Sequence, residues 1–219
     1  MTPEQRRARF AAVHLYLVAP LVAGGRPLTD VAAAAIAGGV DAIQLRDKHA
    51  GDDELVAGLR ALRPLCDAGG ALLLLNDRPD LAVAGGADGV HVGQDDLPVA
   101  EARAIVGPER LLGLSTHSPA QVDAAAAHDP RRGPDHIGVG PVHATPTKLG
   151  TPGVGLELVR HATGGSLPFV AIGGIDAANV AAVVAAGAPR VAVVRAIADA
   201  PDPRAAAATL RAAVDRGRG

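Results

Sequence analysis

Eight short apolar runs recur along the chain, and stretches rich in alanine with helical spacing separate them. The runs are His14–Ala19, Ala42–Arg46, Leu72–Asn76, Gly89–Val92, Leu111–Ser115, His136–Gly140, Phe169–Gly173 and Val191–Arg195. Within each, hydrophobic residues are mostly consecutive. A strand with one wet face alternates apolar and polar residues, whereas a strand covered on both faces does not. The pattern therefore predicts an α/β fold whose sheet is parallel and covered on both sides.

Three segments repeat one plan. GGVDAIQL, GGADGVHV and AGAPRVAVV each run from a small helix end through a polar residue into a strand. Helix starts are marked by Ser118-Pro119, where a cap residue precedes a proline, and by Asp52-Asp53, whose charge suits the helix dipole. Leu97-Pro98 and Asp176 mark two more. Eight β-α units in 219 residues predict a compact (β/α)8 TIM barrel, with a doubly wound sheet as the rival. No linker, charge block or shift in composition interrupts the chain. Residues 1–219 read as one TIM-barrel domain, with 1–12 as an N-terminal helical extension.

Composition narrows the function. The 21 Lys and Arg against 23 Asp and Glu give a net charge of -2, which leaves no basic footprint for nucleic acid or an acidic membrane. Only Phe10, Tyr16 and Phe169 are aromatic, so base stacking has little to use. Cys66 is the single cysteine; it excludes an intramolecular disulfide and reads as a small buried hydrophobe in a reducing compartment. The stretch Gln5–Phe10 followed by VHLYLVAPLVA loosely resembles a secretion leader. Pro20 interrupts that run, and the same residues make a good first strand, so the expected location is cytoplasmic. No apolar stretch reaches the ~18–20 residues of a membrane span.

In a (β/α)8 barrel the chemistry sits at the C-terminal ends of the strands. The polar residues of this chain fall there. Gln44, Arg46 and Lys48 alternate along QLRDK and so share a face, giving two cations and an amide that suit an anion. Asp77 follows the next run and Asp96 the one after. Two carboxylates at neighbouring strand ends suit Mg²⁺, which takes one or two protein carboxylates and fills its other positions with phosphate oxygens and water. The plainer alternative makes both of them helix N-caps, since Pro79 and Pro98 follow. Ser115 can hydrogen-bond a ligand but lacks a nucleophile elbow. His117 is an acid–base candidate or a bystander. In GPVHATPTK, Thr145 and Thr147 offer hydroxyls and Lys148 a point charge for phosphate, on a loop through Gly155 able to close over a ligand. Gly173-Gly174 and the end of the last run form the usual place for a phosphate in such barrels. Two anion sites on one barrel mouth, one of them metal-assisted, imply displacement of pyrophosphate.

The motifs QLRDK, LLNDRPDLA, GADGVHVGQDD, GLSTH, GVGPVHATPTK, AIGGI and VAVVRAI, in this order, resemble those of the thiamine-phosphate synthase family. The resemblance runs from about Leu15 to the end of the chain. It implies a transferase of thiamine biosynthesis. Such an enzyme joins 4-amino-2-methyl-5-hydroxymethylpyrimidine diphosphate to 4-methyl-5-(2-hydroxyethyl)thiazole phosphate. It further implies that Gln44, Leu45, Arg46, Asp47, Lys48, Asn76, Ser115 and Lys148 contact the pyrimidine diphosphate, with Arg46, Lys48, Ser115 and Lys148 serving the chemistry. Asp77 and Asp96 would hold Mg²⁺. Thr145, Pro146, Thr147, Gly173, Val194 and Arg195 would contact the thiazole phosphate. The expected partners are these two small molecules, with no nucleic acid and no membrane; a homo-oligomer is left open.

The chain departs from the family at two places: an aromatic residue is usual where His143 stands, and serine is frequent where Arg195 stands. Two other functions share the barrel. A thiazole tautomerase paralogue typically lacks the full diphosphate and metal set, and a non-catalytic sensor of thiamine precursors would not need it. A generic sugar-phosphate epimerase would need an acid–base pair facing the centre.

Overall fold

The computed structural model of the chain describes residues 2–129, 131–144 and 153–217. The first strand, β1 (Leu15–Ala19), is followed by a small antiparallel hairpin, β2 (Val22–Ala23) and β3 (Arg26–Pro27). Then come β4 (Ala42–Leu45), β5 (Leu72–Asn76), β6 (Gly89–Val92), β7 (Leu111–Thr116), β8 (His136–Val139), β9 (Phe169–Ile172) and β10 (Val191–Val193). All but the hairpin pair in parallel and in sequence, and β10 returns to β1, so the sheet is a closed eight-stranded barrel. Each of the eight apolar runs is one of these strands, and the rival doubly wound sheet is excluded.

The helices are α1 (Pro3–Ala11), α2 (Leu28–Ala37), α3 (Asp52–Gly69), α4 (Pro79–Ala84), α5 (Val99–Val106), α6 (Pro119–Ala126), α7 (Gly155–Thr163), α8 (Val180–Ala185), α9 (Arg195–Ala198) and α10 (Pro203–Arg216). Ser118 caps α6 by accepting from the Gln121 N–H, with Pro119 at the first helical position. Asp52 and Asp53 occupy the first turn of α3, as their charge favours. Two boundaries differ from expectation. The last strand stops at Val193 and Arg195 already begins α9. Asp176 stands in a turn before α8, where its Oδ1 accepts from the N–H groups of Ala178 and Asn179. None of the described helices is long and apolar enough to cross a membrane.

Alternation along the strands sorts the side chains into two cores. On β1, Leu15, Leu17 and Ala19 pack outward under the helices, while Tyr16 and Val18 face the barrel axis. The inner cluster is closed from below by Phe10 of α1, which is 1% exposed. Cys66 is buried in the outer core, and burial pushes its thiol up to about 11, which keeps it protonated.

The polar residue of the sequence repeat, and Asp135 at the matching place before β8, have a structural task at the lower end of the barrel. Asp41 accepts from the N–H groups of His14 and Leu15, Asp88 from Leu73 and Asp135 from Leu112, at 2.8–3.2 Å. Each carboxylate thus ties the start of its own strand to the start of the strand before it. Each is also paired with arginine: Asp41 with Arg211, Asp88 with Arg63 and Arg6, and Asp135 with Arg103 and Arg7. Arg6 and Arg7 belong to α1, so the ion pairs also fasten that helix across the barrel floor. In the third copy of the repeat the polar residue is Arg190, which donates to the carbonyls of Phe10 and Ala11.

Burial acts to raise the Asp88 carboxyl, but Arg63, the Leu73 N–H and Arg6 together hold it below the usual carboxylate range. A depressed folded-state value means that its stabilisation is complete above the unfolded-state pKa of about 3.9 and is lost as pH falls through the folded value. Asp88→Ala takes the acceptor from the buried Leu73 N–H and an ion pair from each of Arg6 and Arg63, of which Arg63 keeps Asp67. We expect a loss on the order of 3 kcal/mol, or roughly 10 °C in Tm, at pH 7. Calorimetric scans should show the gap to wild type closing below roughly pH 4.

Candidate active site

The upper end of the barrel opens into a cavity of about 740 Å³. It reaches from the strand ends down to Tyr16, Gln44 and His136 inside the ring. Strand β4 supplies its first wall. Gln44 is buried and donates its amide N–H to the Tyr16 hydroxyl at 2.8 Å. Arg46 and Lys48 follow on the same face and line the cavity, as their alternation demands. Leu45 does not join them, because its side chain packs in the outer core. Asp47 borders the cavity, but its carboxylate is occupied by the N–H groups of Leu21 and His49. It shapes the turn that carries Lys48.

Asn76 ends β5 and also lines the cavity. The next residue, Asp77, has a φ of 64°, the one positive value among described residues other than glycine. Its N–H reaches across to the His91 carbonyl at 2.8 Å, which fixes this left-handed turn. Asp96 is fixed from the neighbouring loop, where its Oδ2 accepts from the Gly93 N–H at 2.7 Å. A Cβ on Gly93 would come within 2.7 Å of that same oxygen. Neither aspartate is a helix cap: α4 starts behind Arg78 and α5 behind Pro98, without side-chain capping bonds.

The two carboxyl groups act on each other's protonation. Burial and the Asp96 carboxyl push Asp77 up to about 6, against the pull of Lys48 and Arg46. Burial acts on Asp96 as well, but the bond from Asp77, the Gly93 N–H and the two cations hold it below its ordinary value. Lys48 lies 3.5 Å from Asp77. A like-charge pair of carboxyl groups beside a cavity lined by Arg46 and Lys48 fits a hard divalent cation, which would neutralise both and use oxygen ligands.

Across the mouth, β9 runs into Gly173 and Gly174, whose φ values are 105° and 64°. A Cβ on Gly173 would strike Pro141 at 2.4 Å. Asn179 holds this turn by donating to the Gly174 carbonyl and accepting from the Asp176 N–H. Among the described residues, the N–H groups of Gly174 and Ile175 have no acceptor. Such a concavity of free N–H groups takes anions. Val194 and Arg195 flank it, and the exposed Arg195 guanidinium has no ion-pair partner among the described residues. Thr145, Pro146, Thr147 and Lys148 lie outside the described residues, as does the rest of the loop from 149 to 152. His143 sits beside the nest, with its N–H on the Gly173 carbonyl.

Residues 15–197 match the family model described as thiamine monophosphate synthase. The chain belongs to this family. It is 50% identical over 213 residues to a thiamine-phosphate synthase of Saccharopolyspora erythraea, with 94% of each chain covered. A thiamine-phosphate synthase of Gloeobacter violaceus is 48% identical over 212 residues, which cover 96% of this chain but 60% of that protein's length. Among solved structures, a thiamine phosphate pyrophosphorylase from Pyrococcus furiosus superposes with a TM-score of 0.86 at 32% identity, covering 97% of this chain and 99% of that one.

Four polar residues around the cavity escape the motif reading. Tyr16 braces Gln44, and Gln94 donates its amide N–H to the Ser115 carbonyl at 2.6 Å. His91 meets the Ser115 hydroxyl at 3.0 Å, and His136 lies deeper in the barrel. The usable signal is a polar residue at an inward position of an apolar strand. His117 lines the cavity too, with its Nδ1 on the Gly140 carbonyl, so its ring is oriented by the main chain.

The nest yields a direct expectation. Gly173→Ala forces a side chain into a left-handed position with no room for it, so the turn must shift. Binding of a phosphate monoester, followed by calorimetry, should weaken by roughly tenfold or more, the effect of one lost charge-assisted hydrogen bond.

Proposed function

We propose that this chain makes thiamine phosphate from the pyrimidine diphosphate and the thiazole phosphate, releasing pyrophosphate. The observation that carries the reading is the pairing of two unlike anion sites on one cavity. Arg46, Lys48, Asn76, Asp77 and Asp96 gather over the ends of β4 to β6, as a diphosphate with its cation requires. The glycine nest and Arg195 lie over β9 and β10, as a monoester requires. Family membership supports the same assignment. The tautomerase and sensor readings leave the first of these clusters without a task.

In this reading Arg46 and Lys48 bind the diphosphate, joined by Lys148 from the loop. Asp77 and Asp96 would hold Mg²⁺, which would supply further charge neutralisation for the diphosphate. The bond between the pyrimidine methylene carbon and the diphosphate oxygen breaks, and the electron pair leaves with the diphosphate. The cations that bound the diphosphate in the ground state meet more negative charge as it departs, so their attraction grows toward the transition state. The positive charge left on the methylene is shared with the ring and its amino group. The nest, Thr145 and Thr147 anchor the thiazole phosphate so that its ring nitrogen faces that carbon. The nitrogen lone pair then forms the new C–N bond. No enzyme nucleophile and no net proton transfer are needed.

Purified protein given both substrates and Mg²⁺ should release pyrophosphate and thiamine phosphate in equal amounts, with neither formed when any component is left out. Conversion of the thiazole phosphate isomer alone would favour the tautomerase. Asp96→Ala should lower turnover at least about 100-fold while leaving thiazole phosphate affinity within about twofold, because the carboxylates serve only the diphosphate. Loss of both together would refute the two-site arrangement.

A further inference from the structure

Ser115 is the penultimate residue of β7, with its side chain in the cavity, and it is held from two directions by residues that the reaction as described does not use. Gln94 fixes its carbonyl. His91 Nε2 lies 3.0 Å from its Oγ, a normal hydrogen-bond distance. Both partners come from β6 and the loop that follows it. Building on the function proposed above, we propose that His91 is a positioning residue: its Nε2–H donates to Ser115 Oγ and so directs the Ser115 hydroxyl proton toward an anionic oxygen of the substrate.

The seat of the imidazole is built for this. His91 lies on the inner face of β6, and the two strands beyond it carry glycine where it needs room. A Cβ on Gly113 would fall 2.3 Å from His91 Nδ1, and one on Gly138 would fall 3.2 Å from its Cε1. The ring is therefore lodged in a slot spanning three strands, with its Nε2 edge at Ser115. Behind it, 5.7 Å away between ring centroids, stands His136, itself packed on Phe10 at 3.9 Å. Burial, with His91 and the arginines 190 and 103, holds His136 well below its ordinary value, so a neutral ring lies behind His91. A neutral imidazole has one donor and one acceptor nitrogen, and the choice between them sets the polarity of the serine. If Ser115 gave its proton to Nε2, only oxygen lone pairs would face the cavity and would repel phosphate. With the proton on Nε2, the hydroxyl is left to donate outward. The cavity rim, with Arg46 and Lys48, is arranged for an anion, and only this polarity agrees with it.

Two measurements test the proposal. In protein labelled with 15N-histidine, NMR of the long-range ring couplings should show His91 as the Nε2–H tautomer, and Ser115→Ala should shift that Nε2 resonance. The bare-Nε2 tautomer, or a signal indifferent to Ser115→Ala, would overturn the proposal without recourse to any substrate. In pyrophosphate release, His91→Leu should lower kcat roughly tenfold, the usual scale for a lost orienting partner, and His91→Gln, which keeps an N–H donor, should recover most of it. Combining His91→Leu with Ser115→Ala should be no worse than Ser115→Ala alone. Additive losses, or equal losses from leucine and glutamine at matched Tm, would overturn it. If His91→Leu does not fold, the glutamine variant and the tautomer still decide. A wild-type protein without pyrophosphate release would defeat the proposed function, and the NMR result would stand apart from that outcome.

Discussion

The molecule depends on one set of main-chain hydrogen bonds, those that close β1 onto β10. Leu15, Tyr16 and Leu17 pair in parallel register with Val191, Ala192 and Val193. Closure removes both sheet edges and fixes the ring at eight strands. Such a ring is normally filled by bulky branched side chains. Here many inward positions are small: Ala42, Gly89, Gly113, Gly138 and Ala192. With the ring held open by its backbone, these residues leave space rather than collapse. The cavity therefore extends below the strand ends, to Tyr16 and His136. Its floor is uncharged, since burial keeps the Tyr16 hydroxyl protonated and the His136 ring neutral. A flat polar ring suits that floor, and phosphates suit the charged rim above it.

The same charged residue types do opposite things at the two ends of the barrel. At the lower end Asp41, Asp88 and Asp135, each just before a strand, accept from main-chain N–H groups and from arginine. Charges taken out of water are tolerated only when so satisfied. At the upper end Arg46 and Arg195 have no ion-pair partner among the described residues, while Asp77 and Asp96 are set against each other. The difference is not one of exposure alone, because Asp77 is itself part-buried. It lies in what completes each group: protein at the lower end and, under the function proposed, ligand at the upper. The loops at the lower end are short and can be drawn tight by ion pairs, which α1 exploits to dock Phe10.

How much of this is legible in the sequence depends on how local the cause is. The eight strands are readable because burial on both faces leaves an uninterrupted apolar run. The face shared by Gln44, Arg46 and Lys48 follows from a two-residue period, and the same period explains why Leu45 turns away. What escapes involves partners distant in the chain. Asp41, Asp88 and Asp135 read as punctuation before strands, yet they act through arginines that lie 170, 25 and 32 residues away. The hairpin β2–β3 is too short to show periodicity. It holds because Arg26 donates to the carbonyls of Ala198 and Ala200. His91 and Gln94 stand inside a motif whose aspartate draws attention first, and their task appears only when β6 and β7 lie side by side.

The site is also where the chain breaks the rules that the rest of it keeps. A non-glycine residue in the left-handed region costs on the order of 1 kcal/mol or more, and Asp77 adopts it. A carboxylate pair without a cation must hold a proton or repel. The ring nitrogens of His136 are buried without a hydrogen-bond partner among the described residues, which costs more than an apolar ring would. None of these features helps the barrel to fold, and each lies within reach of the same cavity. The paired ions below and the closed ring of strands supply the stability against which this strain is held. The stretch from Gly89 to Asp96 carries most of that load. It places His91 inward, leaves Gly93 bare so that Asp96 can fold back on it, and sends Gln94 to Ser115. A single substitution in this stretch would disturb the carboxylate pair and the serine together, through the backbone they share.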